Sequence, residues 1–370
     1  MAKVILDFVG LKHVNMSLAQ RIGHLAMEGD TFLRDQIMKT GRRPTAVMIE
    51  PTPGGFANPV LAEYFSRYIA IIPLIERADI IQQALAKAGY TINTAPYAVA
   101  MYETALGYDV YRRWGTRPPL FDLYARDKAI TKNFLRSVGV PDGAWFVCMH
   151  ARGGGYSPYD EHLHSHRNVE INDYHEAIDR IVARGGWCIR MGDPTMKPMP
   201  PRQGVIDYAC SQYKSPRLDI GLVASCRFFL GCSSGLHNVA VMFGRPSALA
   251  NTTPLSGSYA LGVSDLAIPQ TVADASGRAL EIDEIFKSDI ANFRLAEEFR
   301  RRGLTTKNVE PTAIAALVDE MMDRLEGIAE YTADDILRQN KFRSFFRPGH
   351  YAYGAGSQIG RDYLRSHLPL

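Results

Sequence analysis

"FFLGCSSGLHNVAVMFGRPSALA", residues 228–250, decides the fold class. An apolar run too short for a buried helix meets a turn of small hydroxyl and glycine residues. Helically spaced apolar residues follow, and Gly244 and Pro246 then stop the helix ahead of a second apolar run. This is a strand–turn–helix–strand unit, and its two strands carry no polar alternation. Strands apolar on both faces belong to a parallel sheet covered by helices on both sides.

The same alternation extends in both directions. Upstream lie strand "AWFVCMHA" (144–151), helix "INDYHEAIDRIVARGG" (171–186), strand "WCIRMGD" (187–193), strand "GVIDYA" (204–209) and helix "PRLDIGLVASC" (216–226). The first half repeats the logic. It has a strand over 3–10, a helix over 17–40 with Leu18, Ile22, Leu25 and Phe32 on one face, strand "TAVMIEP" (45–51), and a helix over 60–67. A short strand "YIAII" (68–72) and a helix over 80–89 complete it. The helical stretch "LFDLYARDKAITKNFLRSVGV" (120–140) ends at Gly139 ahead of Pro141 and marks a domain junction. Beyond Pro269 the pattern is helical, with segments over 311–326, 332–339 and 358–367.

A chain of 370 residues is long for one core, and two domains of roughly 150 to 200 residues each are expected. Apolar residues at 46% and charged residues at 22% fit a globular protein. A net charge of +3 is too small to imply a nucleic-acid or anionic membrane surface. No apolar run reaches the roughly 20 residues of a membrane span, and "MAKVILDFVGLKH" reads as a strand because Asp7 interrupts it. Five cysteines, an odd number without a CxxC pair, point to free thiols and a cytoplasmic setting.

Ligands of such sheets gather at the C-terminal edge, where strands run into helices. Three loops there carry chemistry. "HARGGGYSPYDEHLHSHRNVE" (150–170) opens with His150 and Arg152 at a strand end and continues through Gly153. A guanidinium fork suits phosphate oxygens, and glycines let backbone approach a ligand. A strand cap, a surface ion pair and a plain turn would explain the same residues. His162, His164 and His166 alternate as if along an extended segment and raise a metal site, but no carboxylate or cysteine joins them at metal spacing.

In "RMGDPTMKPMP" (190–200), Asp193 follows a strand and either hydrogen-bonds a nucleoside or closes an Asp-Pro turn. In the opening stretch, Ser233, Ser234 and Gly235 stand where a helix is expected to begin. Its free amides and dipole would favour an anion, although a serine N-cap needs no ligand. Taken together, the three loops describe a nucleotide-sugar site.

At these residues the sequence resembles a bacterial family of glycosyltransferases and, more distantly, the fucosyltransferases that share an "H-x-R" strand end. The likeness runs through "HARGGG", "HSHRNVEI", "GGWCIRMGDPTMKP", "DIGLVASCRFFLGCSSGL" and "RIGHLAMEGDTFLR". It implies a GT-B-like α/β architecture, two Rossmann-like domains facing a central cleft. Residues 1–140 would form the acceptor side and 141–340 the nucleotide-sugar side, with 341–370 returning to the first domain.

The resemblance further implies that Arg152 contacts the donor diphosphate, with His150 and Gly153 beside it, Asp193 near the nucleoside, and Ser233, Ser234 and Gly235 on phosphate. It also implies no bound metal or cofactor. The chain lacks the second arginine and the following aspartate of the fucosyltransferase pattern. A GDP- or UDP-linked sugar is the expected donor and a hydroxyl the acceptor. The catalytic base is sought in "RIGHLAMEGD", where His24, Glu28 and Asp30 cluster and His24 or Glu28 is the candidate, an amphipathic helix with solvated acids being the plain alternative. A nucleotide-sugar binder without catalysis and a metal-dependent hydrolase on the histidine segment are the other classes.

Overall fold

The computed structural model describes residues 10–16, 18–51, 54–73, 78–98, 105–155, 159 and 161–370. The strand expected over 3–10 lies outside them except for Gly10. The first strand described is β1 (Lys12–Asn15), followed in chain order by β2 (Ala46–Ile49), β3 (Ala70–Ile72) and β4 (Thr91–Asn93). They form one parallel sheet in the order β3-β2-β1-β4.

The second sheet takes β5 (Phe146–His150), β6 (Trp187–Arg190), β7 (Val205–Ile206), β8 (Phe229–Gly231), β9 (Ser247–Thr252) and β10 (Leu266–Pro269). A separate antiparallel pair, β11 (Thr271–Ala273) and β12 (Thr305–Lys307), follows, and β13 (Gln358–Ile359) returns to the second sheet. Its seven strands run β13-β10-β9-β8-β5-β6-β7, all parallel. Numbered from the first strand of each sheet, the small sheet reads 3-2-1-4 and the large one 3-2-1-4-5-6-7, both opening on the doubly wound Rossmann order. The α/β class with two such sheets is therefore observed directly.

The apolar reading of 228–250 explains the centre of the second sheet. All of β8 and all six residues of β9 are buried, as strands covered on both faces must be. Helix boundaries follow local chemistry. Asn58 Oδ1 accepts from Val60 and Leu61 amides ahead of Pro59, starting helix Pro59–Phe65, and Ser215 caps helix Pro216–Ser225. Helix Ile22–Thr40 starts five residues later than the apolar spacing suggests and ends at Gly41, whose φ of 72° forms a left-handed C-cap.

The two lobes share buried apolar contacts. One cluster joins Val14 and Met48 of the first sheet to Phe146 and Phe229 of the second. Helix Ala125–Ser137, read as the end of the first domain, packs on helix Pro216–Ser225, and Thr131 lies against Gly221. The last segment touches both lobes. β13 pairs with β10, and helix Arg361–His367 packs on helices Pro311–Glu326 and Ala333–Ser344 of the second lobe. Just before it, Tyr351 and Gly354 do touch Tyr108 and Arg112 of helix Gly107–Trp114. No helix among the described residues is long and apolar enough to cross a membrane, and all five cysteines are free thiols.

Candidate functional site

In a doubly wound sheet the crevice forms where the strand order reverses. In the second sheet that point is between β5 and β8, whose ends pair His150 with Gly231. In the first it is between β1 and β4, where Asn15 pairs with Asn93. The two switch points face one another. Helix Ile22–Thr40, entered from β1, sets Gly23 against Gly235 of the turn that leaves β8, and Asn238 Nδ2 donates to Gly23 O at 3.4 Å.

On the first-lobe side, His24 Nδ1 lies 2.7 Å from Glu28 Oε1. The pair is four residues apart on one helix, so both side chains project from the same face. Glu28 is 2% exposed, and its second oxygen accepts from Thr94 Oγ1, just past the end of β4. Thr94 is fixed in turn through its amide, 3.1 Å from Asn15 O. Thr94, Glu28 and His24 thus form a hydrogen-bonded relay ending on a partly exposed imidazole, in place of the solvated acids that an ordinary amphipathic helix would show. A cavity of about 120 Å³, lined in part by Asn15, Gln20 and Gln82, opens at the same sheet edge.

On the second-lobe side, His150 Nδ1 meets Ser234 Oγ at 3.0 Å, and burial holds its imidazole down to about 4, so it is neutral at pH 7. Arg152 is spread over the loop that follows. It donates to Asn168 Oδ1 and, at 3.3 Å, to His164 O, and it pairs with Glu161 at 3.5 Å. Gly153 has open space where a side chain would stand. A Cβ at Gly154 would lie 2.8 Å from the Glu161 carboxyl, so that glycine lets the Glu161 partner approach.

The turn after β8 differs from its expected form. The helix begins at His237 and spans only His237–Met242, so residues 233–235 precede it and do not cap it. Both hydroxyls have protein partners: Ser233 Oγ accepts from Thr253 N at 3.0 Å, and Ser234 Oγ meets His150. Gly235 faces the Gly23 backbone. Asp193 closes its own turn, accepting from the Thr195 amide at 2.9 Å and from the Thr195 hydroxyl. Asp-Pro turn chemistry accounts for that geometry.

The histidine segment is helical where an extended run was expected. His162 and His164 lie in helix Glu161–His164, and His166 lies in the 3₁₀ turn Ser165–Arg167 with its ring 5.5 Å from Phe299. Among the described residues, no group of three or more His, Cys, Asp or Glu is placed to hold a metal ion.

Arg167 is the residue that loop-by-loop reading missed. Its Nη2 donates to Ser233 O, which brings it onto the turn after β8, and burial with Arg152 beside it holds its guanidinium down to about 10. The only signal in the sequence was its place inside "HSHRNVEI".

No family model matches the chain, and no curated protein matches it. Among solved structures it is similar to a glycosyl transferase family 9 protein from Veillonella parvula, 10% identical with a TM-score of 0.42, over 65% of this chain and 79% of that one. It is similar to ADP-heptose LPS heptosyltransferase II of E. coli, 12% identical with a TM-score of 0.42, over 65% and 83% of the two chains. A third is the iron-containing dodecameric glycosyltransferase TibC of enterotoxigenic E. coli, 13% identical with a TM-score of 0.37, over 65% and 57%.

Proposed function

We propose that this chain is a glycosyltransferase that moves a sugar from a nucleoside-diphosphate sugar to an acceptor hydroxyl. The observation that carries the reading is the meeting of two switch points. One ends in the Thr94–Glu28–His24 relay and the other in a cationic loop cluster, and the Gly23–Gly235 contact joins them.

The chemistry divides between the lobes. Glycosyl transfer needs a proton taken from the acceptor and a developing diphosphate charge stabilised. Glu28 fixes His24 through Nδ1, which leaves Nε2 to accept the acceptor's proton. The amides of Asn15, Gln20 and Gln82 around the neighbouring cavity suit a hydroxyl-rich acceptor.

On the other side, Arg152 with the His150 and Gly153 strand end and the turn 233–235 forms the diphosphate wall, and Asp193 stands on the nucleoside side. A GDP- or UDP-linked donor remains the proposal. A binder without catalysis has no use for an imidazole held by a buried carboxylate, and the relay favours the enzyme.

The test is nucleotide release from a panel of UDP-, GDP-, ADP-, dTDP- and CMP-sugars with mixed glycan acceptors. Release from one donor that depends on acceptor supports the reading. Release from none, or release unchanged in His24→Ala, overturns it.

A further inference from the structure

Arg167 is a half-buried cation with no counter-charge among the described residues. Its Nη2 donates to the Ser233 carbonyl, its Nε is buried with no hydrogen-bond partner, and among the described residues no carboxylate pairs with it. The carboxylate of Glu161, on the same loop, is turned to Arg152. A desolvated guanidinium left in that state is costly, and native proteins ordinarily pair or solvate it.

The surroundings add positive charge. Arg152 of the second lobe and Arg21 of the first both act on Arg167, and together with burial they lower its proton affinity. Arg21 also opens helix Ile22–Thr40, 19 residues long, with no side-chain cap on its first amides and no acid in its first turn. The positive end of that helix therefore faces the same place. Two lobes thus bring like charge together at the point where Gly23 and Gly235 touch.

We infer that Arg167 is the principal ligand of a diphosphate-class anion bound between the lobes, and that this anion ties them together by neutralising Arg167 and the positive start of helix Ile22–Thr40. Arg152, besides its place in the diphosphate wall, braces the loop carrying Arg167 through Asn168, His164 O and Glu161. The nature of the anion rests on the glycosyl-transfer reading, but the anion site itself does not.

The experiment titrates the intact protein calorimetrically with inorganic pyrophosphate, then with ADP, GDP and UDP, and follows melting and amide exchange. Arg167→Gln is expected to weaken pyrophosphate about tenfold to hundredfold, the range for a charge-assisted hydrogen bond. Arg278→Gln, an exposed control, is expected to leave it unchanged. Without ligand, Arg167→Gln melts at or above wild type, because a repulsive buried charge is gone. Pyrophosphate slows exchange of the amides over 22–26 in wild type only.

Unchanged pyrophosphate affinity in Arg167→Gln overturns the inference, as does a wild type that binds neither pyrophosphate nor nucleotide. A ligand-free Arg167→Gln that melts far below wild type makes the arginine structural and also overturns it. If pyrophosphate binding depends on Arg167 while no sugar nucleotide is consumed, the anion site stands and the transferase reading falls. If donor is consumed and Arg167→Gln binds normally, the reverse holds.

Discussion

Gly23 and Gly235 meet backbone to backbone: a methyl group on Gly23 would lie 2.5 Å from Gly235 Cα, and one on Gly235 would lie 2.7 Å from Gly23 N. Gly23 belongs to the first turn of a long helix. Replacing a helical glycine by alanine ordinarily stabilises by up to about 1 kcal/mol. Here the sign reverses, because neither backbone can yield without parting the lobes. Gly23→Ala is expected to cost about 1–3 kcal/mol, the range for overpacking, read as a lower melting temperature. Gly153→Ala, with open space at its Cβ, is the matched control and keeps wild-type stability. Equal melting of the two variants would show that the contact bears no weight.

The relay makes a kinetic prediction. His24→Ala removes the base but not the anion site, so turnover is expected to fall by about 10²–10⁴-fold with donor KM little changed. Glu28→Gln can keep only one oxygen acceptor for both Thr94 and His24 Nδ1, so the imidazole loses its fixed orientation and kcat falls too. Steady-state kinetics with the active donor check this. A rise in donor KM at constant kcat would move both residues out of proton transfer.

Arg152 is expected to behave as a fork and not as a point charge. Its guanidinium reaches Asn168, His164 O and Glu161 at once, which an ammonium group cannot reproduce. Arg152→Lys should therefore lose nearly as much donor affinity as Arg152→Ala, and both should raise protease sensitivity across 159–168. Full rescue by lysine would show that charge alone matters.

Three imidazoles at this edge give the fold an acid-side weakness. Burial holds His150, His166 and His237 each down to about 4, below the ordinary value near 6.5. In the unfolded chain they take protons as pH falls through about 6.5, while in the folded chain they resist until about 4. The unfolded state therefore binds more protons in that window, and stability falls as pH drops through it. Urea midpoints from pH 7.5 to 4 should decline, and His150→Gln with His237→Gln should flatten the slope. A slope unaffected by the double variant would assign the decline elsewhere.

How much of this was readable in advance depended on distance along the chain. The pattern of 228–250 exposed a buried parallel sheet because β8 and β9 are apolar on both faces. His24 and Glu28 were readable as a pair because helical spacing of four residues brings them together. Thr94 was not, since its bond to Glu28 spans 66 residues and depends on β4 lying beside β1. Arg167 reaches Ser233 across the same separation of 66 residues, on a loop whose helical course the alternating histidines concealed. The antiparallel pair escaped notice for another reason. β11 and β12 have three residues each and β12 is largely exposed, too short and too polar for a period-two pattern to register.

The place of β13 sets an order of events during synthesis. All four strands of the small sheet lie between Lys12 and Asn93, whereas the large sheet receives its outermost strand only at Gln358–Ile359. On a ribosome the small sheet can pair while most of the chain is still untranslated. The outer edge of β10 stays bare until Gln358 and Ile359 emerge. A bare parallel edge is a template for foreign strands, so the nascent chain is most exposed to misassembly between the emergence of β10 and that of β13. A shortened chain that ends before Gln358 would carry that exposure permanently.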